Sequence, residues 1–270
     1  MTASGQPQPL PAELRPYLGE LVRRTRAVCG PAVAGVYAVG SVALGDYRPG
    51  RSDVDVTVLV DPALPGDALR ELAEVLAHPG LPCPAAGLEL VVYGSDFARR
   101  PSGRAGYLLD LNTGPLLPGR ASLDSAGTPA FWYAIDRAVA HQSGIALLGR
   151  AAQEAIAAPQ RAELLTALVA SVREHTEGTG HLADNRVLNG CRAAAFCRTG
   201  RWLPKRSAAR LIAAEEEAFR PLIAAALDSF ARPRAEARPL PQADVRAFLA
   251  RVRDRVEEAA AADGPARPAH

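Results

Sequence analysis

Asp53 and Asp55 stand two residues apart at the head of an apolar, β-branched run, VDVTVLV over 54–60. Alternate residues of a strand project to one face, so this spacing aims both carboxylates the same way. Two carboxylates at close range repel, and a divalent cation between them removes that cost. Oxygen-only ligation by a pair of carboxylates, completed by water and phosphate, suits Mg2+. A third acid, Glu89, is the one charge in the run LELVVY over 88–93. It shares a strand face with Val91 and Tyr93, while Leu88, Leu90 and Val92 share the other. If that strand lies beside the first, Glu89 converges on the aspartates. It then ligates metal, takes the proton of an attacking hydroxyl, or does both.

Upstream, Gly40 and Ser41 follow a short β-prone run over 33–39 and are expected to open a helix. Glycine lets a phosphate approach the backbone closely; a serine hydroxyl and helix N-terminal N–H groups then hold it. Ser52, next to Asp53, offers a second phosphate contact. The stretch is no P-loop, because Asp46 follows Gly45 where that motif needs lysine. Each piece has a plain reading alone: a turn, a solvated strand end, an edge glutamate facing water. Their combination in this order points to metal-assisted phosphoryl chemistry.

These residues need a sheet to hold them. Strands are expected over 33–39, 54–60, 88–93 and 107–111. Leu14, Leu18, Leu21 and Val22 recur at helical spacing ahead of Gly30, and 66–77 reads as a helix bounded by Pro65 and Pro79. From residue 129 the helical signal dominates, over 129–143, 160–176, 185–199, 205–230 with a break near Pro221, and 242–260. The expected fold is an α/β N-terminal domain, 1–155, with a small mixed sheet, followed by an all-α helical-bundle domain, 156–270. Residues 1–10 and the tail over 260–270 are expected to be poorly ordered.

With 270 residues and 48% hydrophobic composition the chain can build two cores. No apolar run reaches bilayer length and the first residues lack signal-peptide character, so a cytoplasmic protein is expected. Four cysteines without a CxxC pair argue for free thiols rather than structural zinc. The net charge of +2 and the lack of a basic stripe with interleaved aromatics argue against a nucleic-acid partner. Lys205 is the sole lysine among 31 basic residues, which makes it a candidate for a role that arginine cannot fill.

The spacing Gly-Ser-x3-Gly-x6-Ser-Asp-x-Asp, met here from Gly40 to Asp55, resembles the signature of the DNA polymerase β-like nucleotidyltransferases. Within them the chain resembles the streptomycin 3″- and spectinomycin 9-adenylyltransferases. The stretch from His141 to Gly149 is similar to that family's segment joining the domains. Val187 to Arg192, followed by Thr199 to Lys205, is similar to its helix pair. The similarity runs discontinuously from about residue 35 to 230. It implies that ATP and Mg2+ are used, with Asp53 and Asp55 on the metal and Gly40, Ser41 and Ser52 on the phosphates. Glu89 is then the general base, and Arg192 and Lys205 of the helical domain reach the triphosphate, completing the cleft. A cationic drug would meet acids, with Glu89, Asp110 and Asp184 as candidates, each also readable as plain surface charge. The segment 175–184, HTEGTGHLAD, lacks the tryptophan expected of members that grip streptomycin, which favours spectinomycin. A monomer is expected. The alternatives are a nucleotidyltransferase acting on another small molecule or AMPylating a protein, and a catalytically silent nucleotide-binding regulator.

Overall fold

The computed structural model describes residues 9–178 and 181–263. The leader expected over 1–10 lies outside the described residues up to residue 8, and the expected tail does so from residue 264. The chain divides into two compact units, Met1–Ala158 and Pro159–His270.

In chain order the first unit comprises α1 (Arg15–Cys29), β1 (Val33–Ala38), α2 (Gly40–Ala43), β2 (Val54–Val60), α3 (Gly66–Leu76), β3 (Leu88–Gly94), α4 (Ser95–Arg99), β4 (Tyr107–Thr113), β5 (Arg120–Ser122), α5 (Phe131–Ser143), β6 (Ile145–Gly149) and α6 (Ala152–Ala155). The six strands form one mixed sheet in the order β5-β4-β3-β2-β1-β6. β2 and β3 run parallel and all other neighbours antiparallel. A parallel pair needs a crossover, and α3 lies within that connection. The alternation in β2 sorts its residues between two cores. Val54, Val56, Val58 and Val60 pack with Leu14, Leu18 and Leu21 and with Leu69, Leu72 and Leu76 of α3. On the opposite face Leu59, Tyr37 and Tyr93 pack with Tyr133 and Ala140 of α5 and with Ala152 and Ile156. This second core covers the C-terminal ends of β2 and β3. Asp55 and Glu89 project from the same face at the N-terminal ends.

Two strands escape the pattern reading. β6 lies within the stretch likened above to a joining segment, yet it pairs antiparallel with β1 as an edge strand. Its residues, IALLG, are a short apolar run without alternation, which fits a strand or a buried turn of helix equally well. β5, Arg-Ala-Ser, has no strand signal of its own and exists through its pairing with β4.

The second unit contains five α-helices among its described residues: α7 (Arg161–Glu177), α8 (Ala183–Thr199), α9 (Lys205–Glu215), α10 (Arg220–Phe230) and α11 (Gln242–Asp263). The helical stretch expected over 205–230 breaks at Glu216, and Pro221 sits in the first turn of α10, where its missing N–H costs nothing. Gly200 ends α8 in the left-handed conformation, φ 67°. α8 is buried along most of its length, and Gly190 lets α11 come close. A Cβ there would sit 3.0 Å from both Leu249 and Phe248. The observed class is a mixed sheet with helices followed by an all-α unit. Among the described residues no helix is long and apolar enough to cross a membrane.

Candidate active site

The corner between β1 and α2 is shaped around Asp55. Gly40 has φ 55°, and a Cβ on it would collide with the Asp55 carboxylate. Glycine is therefore required on two counts, backbone conformation and space. The Val39 N–H donates to the Asp55 carbonyl at 2.9 Å, which fixes the corner to β2. One residue on, Ser41 Oγ is buried without a hydrogen-bond partner. A buried hydroxyl left unsatisfied is costly, and such a group calls for a ligand. Ser52 is buried too, and its Oγ accepts the Arg48 N–H at 3.1 Å. Accepting that bond leaves its own O–H available as a donor.

Asp55 on β2 stands in register with Glu89 on β3. Laterally paired residues of neighbouring strands share a face, with backbones about 5 Å apart. Asp53 immediately precedes β2, half-buried like Asp55, while Glu89 is exposed. Among the described residues no three His, Cys, Asp or Glu side chains are drawn together as a finished metal cage. Asp55 and Glu89 are thus lateral neighbours across β2 and β3, and the three acids expected on the metal are not gathered into a ligand shell among the described residues. A carboxylate pair beside an orphaned serine hydroxyl and a glycine corner fits Mg2+ bound with a nucleotide's phosphates, which supply the oxygens the protein lacks.

Asp110, expected among the acids facing a drug, is 4% exposed. Its carboxylate accepts from Tyr133 Oη at 2.8 Å, Arg120 Nη2 at 2.6 Å and Asn112 Nδ2 at 3.1 Å. Burial, then the hydrogen bond to Asp110, pushes the Tyr133 hydroxyl well above the usual tyrosine range. These bonds tie α5 and β5 to β4 two residues from Asn112, which is the register partner of Glu89. Sequence reasoning missed this network. Its one trace was the Asp-x-Asn spacing on a strand, which puts both residues on the face of Glu89.

The second unit holds the other expected residues. Arg192 on α8 has its guanidinium 5.5 Å from the centre of the Trp202 ring. Lys205, the first residue of α9, donates from Nζ to Asn185 Oδ1 at 3.0 Å and lies 5.3 Å from the Phe230 ring centre. Asp184 is fully buried, and its carboxylate accepts the Ser229 hydroxyl. His175, also buried, is pushed down to about 4, chiefly by desolvation.

Comparison with known proteins bears on both units. A family model described as a nucleotidyltransferase domain matches residues 20–81, which include Gly40, Ser41, Ser52, Asp53 and Asp55. A second, described as the C-terminal domain of aminoglycoside adenylyltransferase, matches residues 156–255, which include Asp184, Arg192 and Lys205. Among solved structures, the spectinomycin adenyltransferase AAD(9) from Enterococcus faecialis, crystallised with ATP and spectinomycin, is similar in fold. Its TM-score is 0.65 at 16% sequence identity, with 90% of this chain and 98% of that chain covered. No curated protein sequence matches the chain. With a nucleotidyltransferase domain followed by this C-terminal domain, the chain belongs to the aminoglycoside adenylyltransferase family of nucleotidyltransferases.

Proposed function

We propose that the enzyme transfers AMP from Mg2+-bound ATP to a hydroxyl of an aminocyclitol antibiotic, spectinomycin ahead of streptomycin. The observation that carries this reading is the lateral register of Asp55 with Glu89, beside a glycine corner that admits no side chain. Spectinomycin is favoured because the segment 175–184 has no tryptophan and because the similar AAD(9) fold was solved with that drug.

In this mechanism Asp53 and Asp55 hold the metal, which when bound neutralises charge on the phosphates. Ser41 and Ser52 donate to phosphate oxygens, and Arg192 and Lys205 are assigned to the triphosphate. Glu89 accepts the proton of the drug hydroxyl as its oxygen attacks the α-phosphorus. The new O–P bond forms as the bond to pyrophosphate breaks in line with it. Positioning and preorganised charge carry most of the acceleration. Incubation of the enzyme with ATP, Mg2+ and separately spectinomycin or streptomycin, followed by mass spectrometry, tests the proposal. Spectinomycin is expected to gain one AMP and streptomycin little or none. Modification of neither drug, with ATP consumed on another acceptor, would overturn it. Lys205→Ala is expected to weaken ATP binding, and unaltered affinity would remove Lys205 from the nucleotide site.

A further inference from the structure

Asn185, Asn189 and Arg192 recur at spacings of four and three along α8 and so line one face of it. All three are half-buried, whereas Val187, Leu188, Gly190 and Cys191 between them are buried. The chemistry of the middle residue is set by His175. His175 Nδ1 lies 2.8 Å from the Ser171 carbonyl oxygen, which can only accept, so Nδ1 carries the hydrogen. Desolvation keeps this buried ring neutral, pushing it down to about 4. Nε2 is then a bare acceptor, and Asn189 Nδ2, 2.8 Å away, is its donor. An amide whose nitrogen is turned toward the histidine has its oxygen turned away from it.

We propose that Asn189 Oδ1 accepts a ribose hydroxyl of ATP, and that His175 is the positioning residue that fixes the polarity of this amide. The inference rests on the reading that Arg192 and Lys205 hold the triphosphate. Asn189 is one helical turn from Arg192 and one from Asn185, whose own amide oxygen takes the Lys205 ammonium. Phosphate oxygens only accept, so an amide oxygen in this row is mismatched to them. The ribose is the portion of ATP next to the phosphates that carries donors, and it fits.

The surroundings hold His175 in the neutral form. His181 stacks on it, ring centres 4.8 Å apart and 8° from parallel. Arg186 of α8 donates to the His175 carbonyl, and both Arg186 and Lys205 of α9 disfavour a second positive charge. His181 is itself pushed down, first by desolvation, with Glu174 opposing and Arg186, Lys205 and Arg234 adding to the effect. A protonated His175 would turn Nε2 into a donor and force the Asn189 amide to rotate, presenting N–H groups where the oxygen stood.

The test compares kcat/KM for ATP, 2′-deoxy-ATP and 3′-deoxy-ATP, with melting temperatures measured throughout. Wild-type enzyme is expected to lose about tenfold with one deoxy analogue, the worth of one well-made hydrogen bond. Asn189→Ala should lose a similar factor with ATP and no longer distinguish that analogue, with the KM for the drug unchanged. His175→Leu should behave like Asn189→Ala, while His175→Gln, whose amide oxygen can accept from Asn189, should restore the discrimination. Equal use of all three nucleotides by wild-type enzyme overturns the proposal without any variant having to fold. Discrimination retained in a folded Asn189→Ala overturns it as well. Lys205→Ala separates the two levels. If that variant binds ATP tenfold more weakly while Asn189→Ala discriminates normally, only the ribose contact falls. If Lys205→Ala binds ATP normally, the triphosphate assignment falls and takes this proposal with it.

Discussion

At the corner after β1, the first unit gives up stability in order to bind. Ser41 Oγ is buried and unsatisfied, a cost of about 1–3 kcal/mol for a group of this kind. Ser41→Ala is therefore expected to raise the melting temperature of the nucleotide-free enzyme while raising the KM for ATP. A lower melting temperature would show that the hydroxyl is satisfied within the protein. Gly40→Ala acts in the opposite sense. A methyl group there meets the Asp55 carboxylate on a backbone at φ 55°, so Asp55 must move. Metal-dependent ATP binding, read by calorimetry, should drop at least tenfold, and unchanged binding would detach Asp55 from the nucleotide site. That these residues could be found in the sequence follows from their local character. A glycine-serine corner and an Asp-x-Asp at the head of an apolar strand each carry their chemistry within a few residues.

At the scale of elements, the legible parts were those with a repeating pattern. β2 and β3 alternate cleanly because each face packs against a different core, and α1 and α3 repeat at helical spacing. β5 and β6 were illegible because they are short and are held by their neighbours rather than by propensity. The same reasoning explains Asp110. Its three donors come from residues 2, 10 and 23 positions away, a set that only the folded sheet assembles. Tyr133→Phe leaves the Asp110 carboxylate one donor short in a buried place. Chemical denaturation should show a loss of about 1–3 kcal/mol, and no change would mean that the bond to Tyr133 is dispensable. In the helical unit, Phe248 is fully buried against Phe219, and Phe248→Ala should cost about 3–5 kcal/mol in the same measurement.

For the whole molecule, pH and catalysis are the two global readouts. The native His175 ring stays neutral down to about pH 4, whereas an unfolded chain takes up the proton near the ordinary histidine value of 6.5. Between these limits the unfolded state binds more protons, so stability rises with pH and falls on acidification, by of order 3 kcal/mol across the window from this residue. His175→Gln should flatten the fall in unfolding free energy between pH 7 and pH 4.5, and an unchanged slope would assign the acid sensitivity elsewhere. The proposed adenylylation turns on the Glu89 carboxylate taking one proton from the drug hydroxyl. Rapid-quench measurement of a single turnover by Glu89→Gln, with ATP, Mg2+ and spectinomycin saturating, addresses it most directly. The adenylylation rate of this variant is expected to fall by about two to four orders of magnitude with ATP still bound at wild-type affinity. Drug adenylylated at the wild-type rate would contradict it.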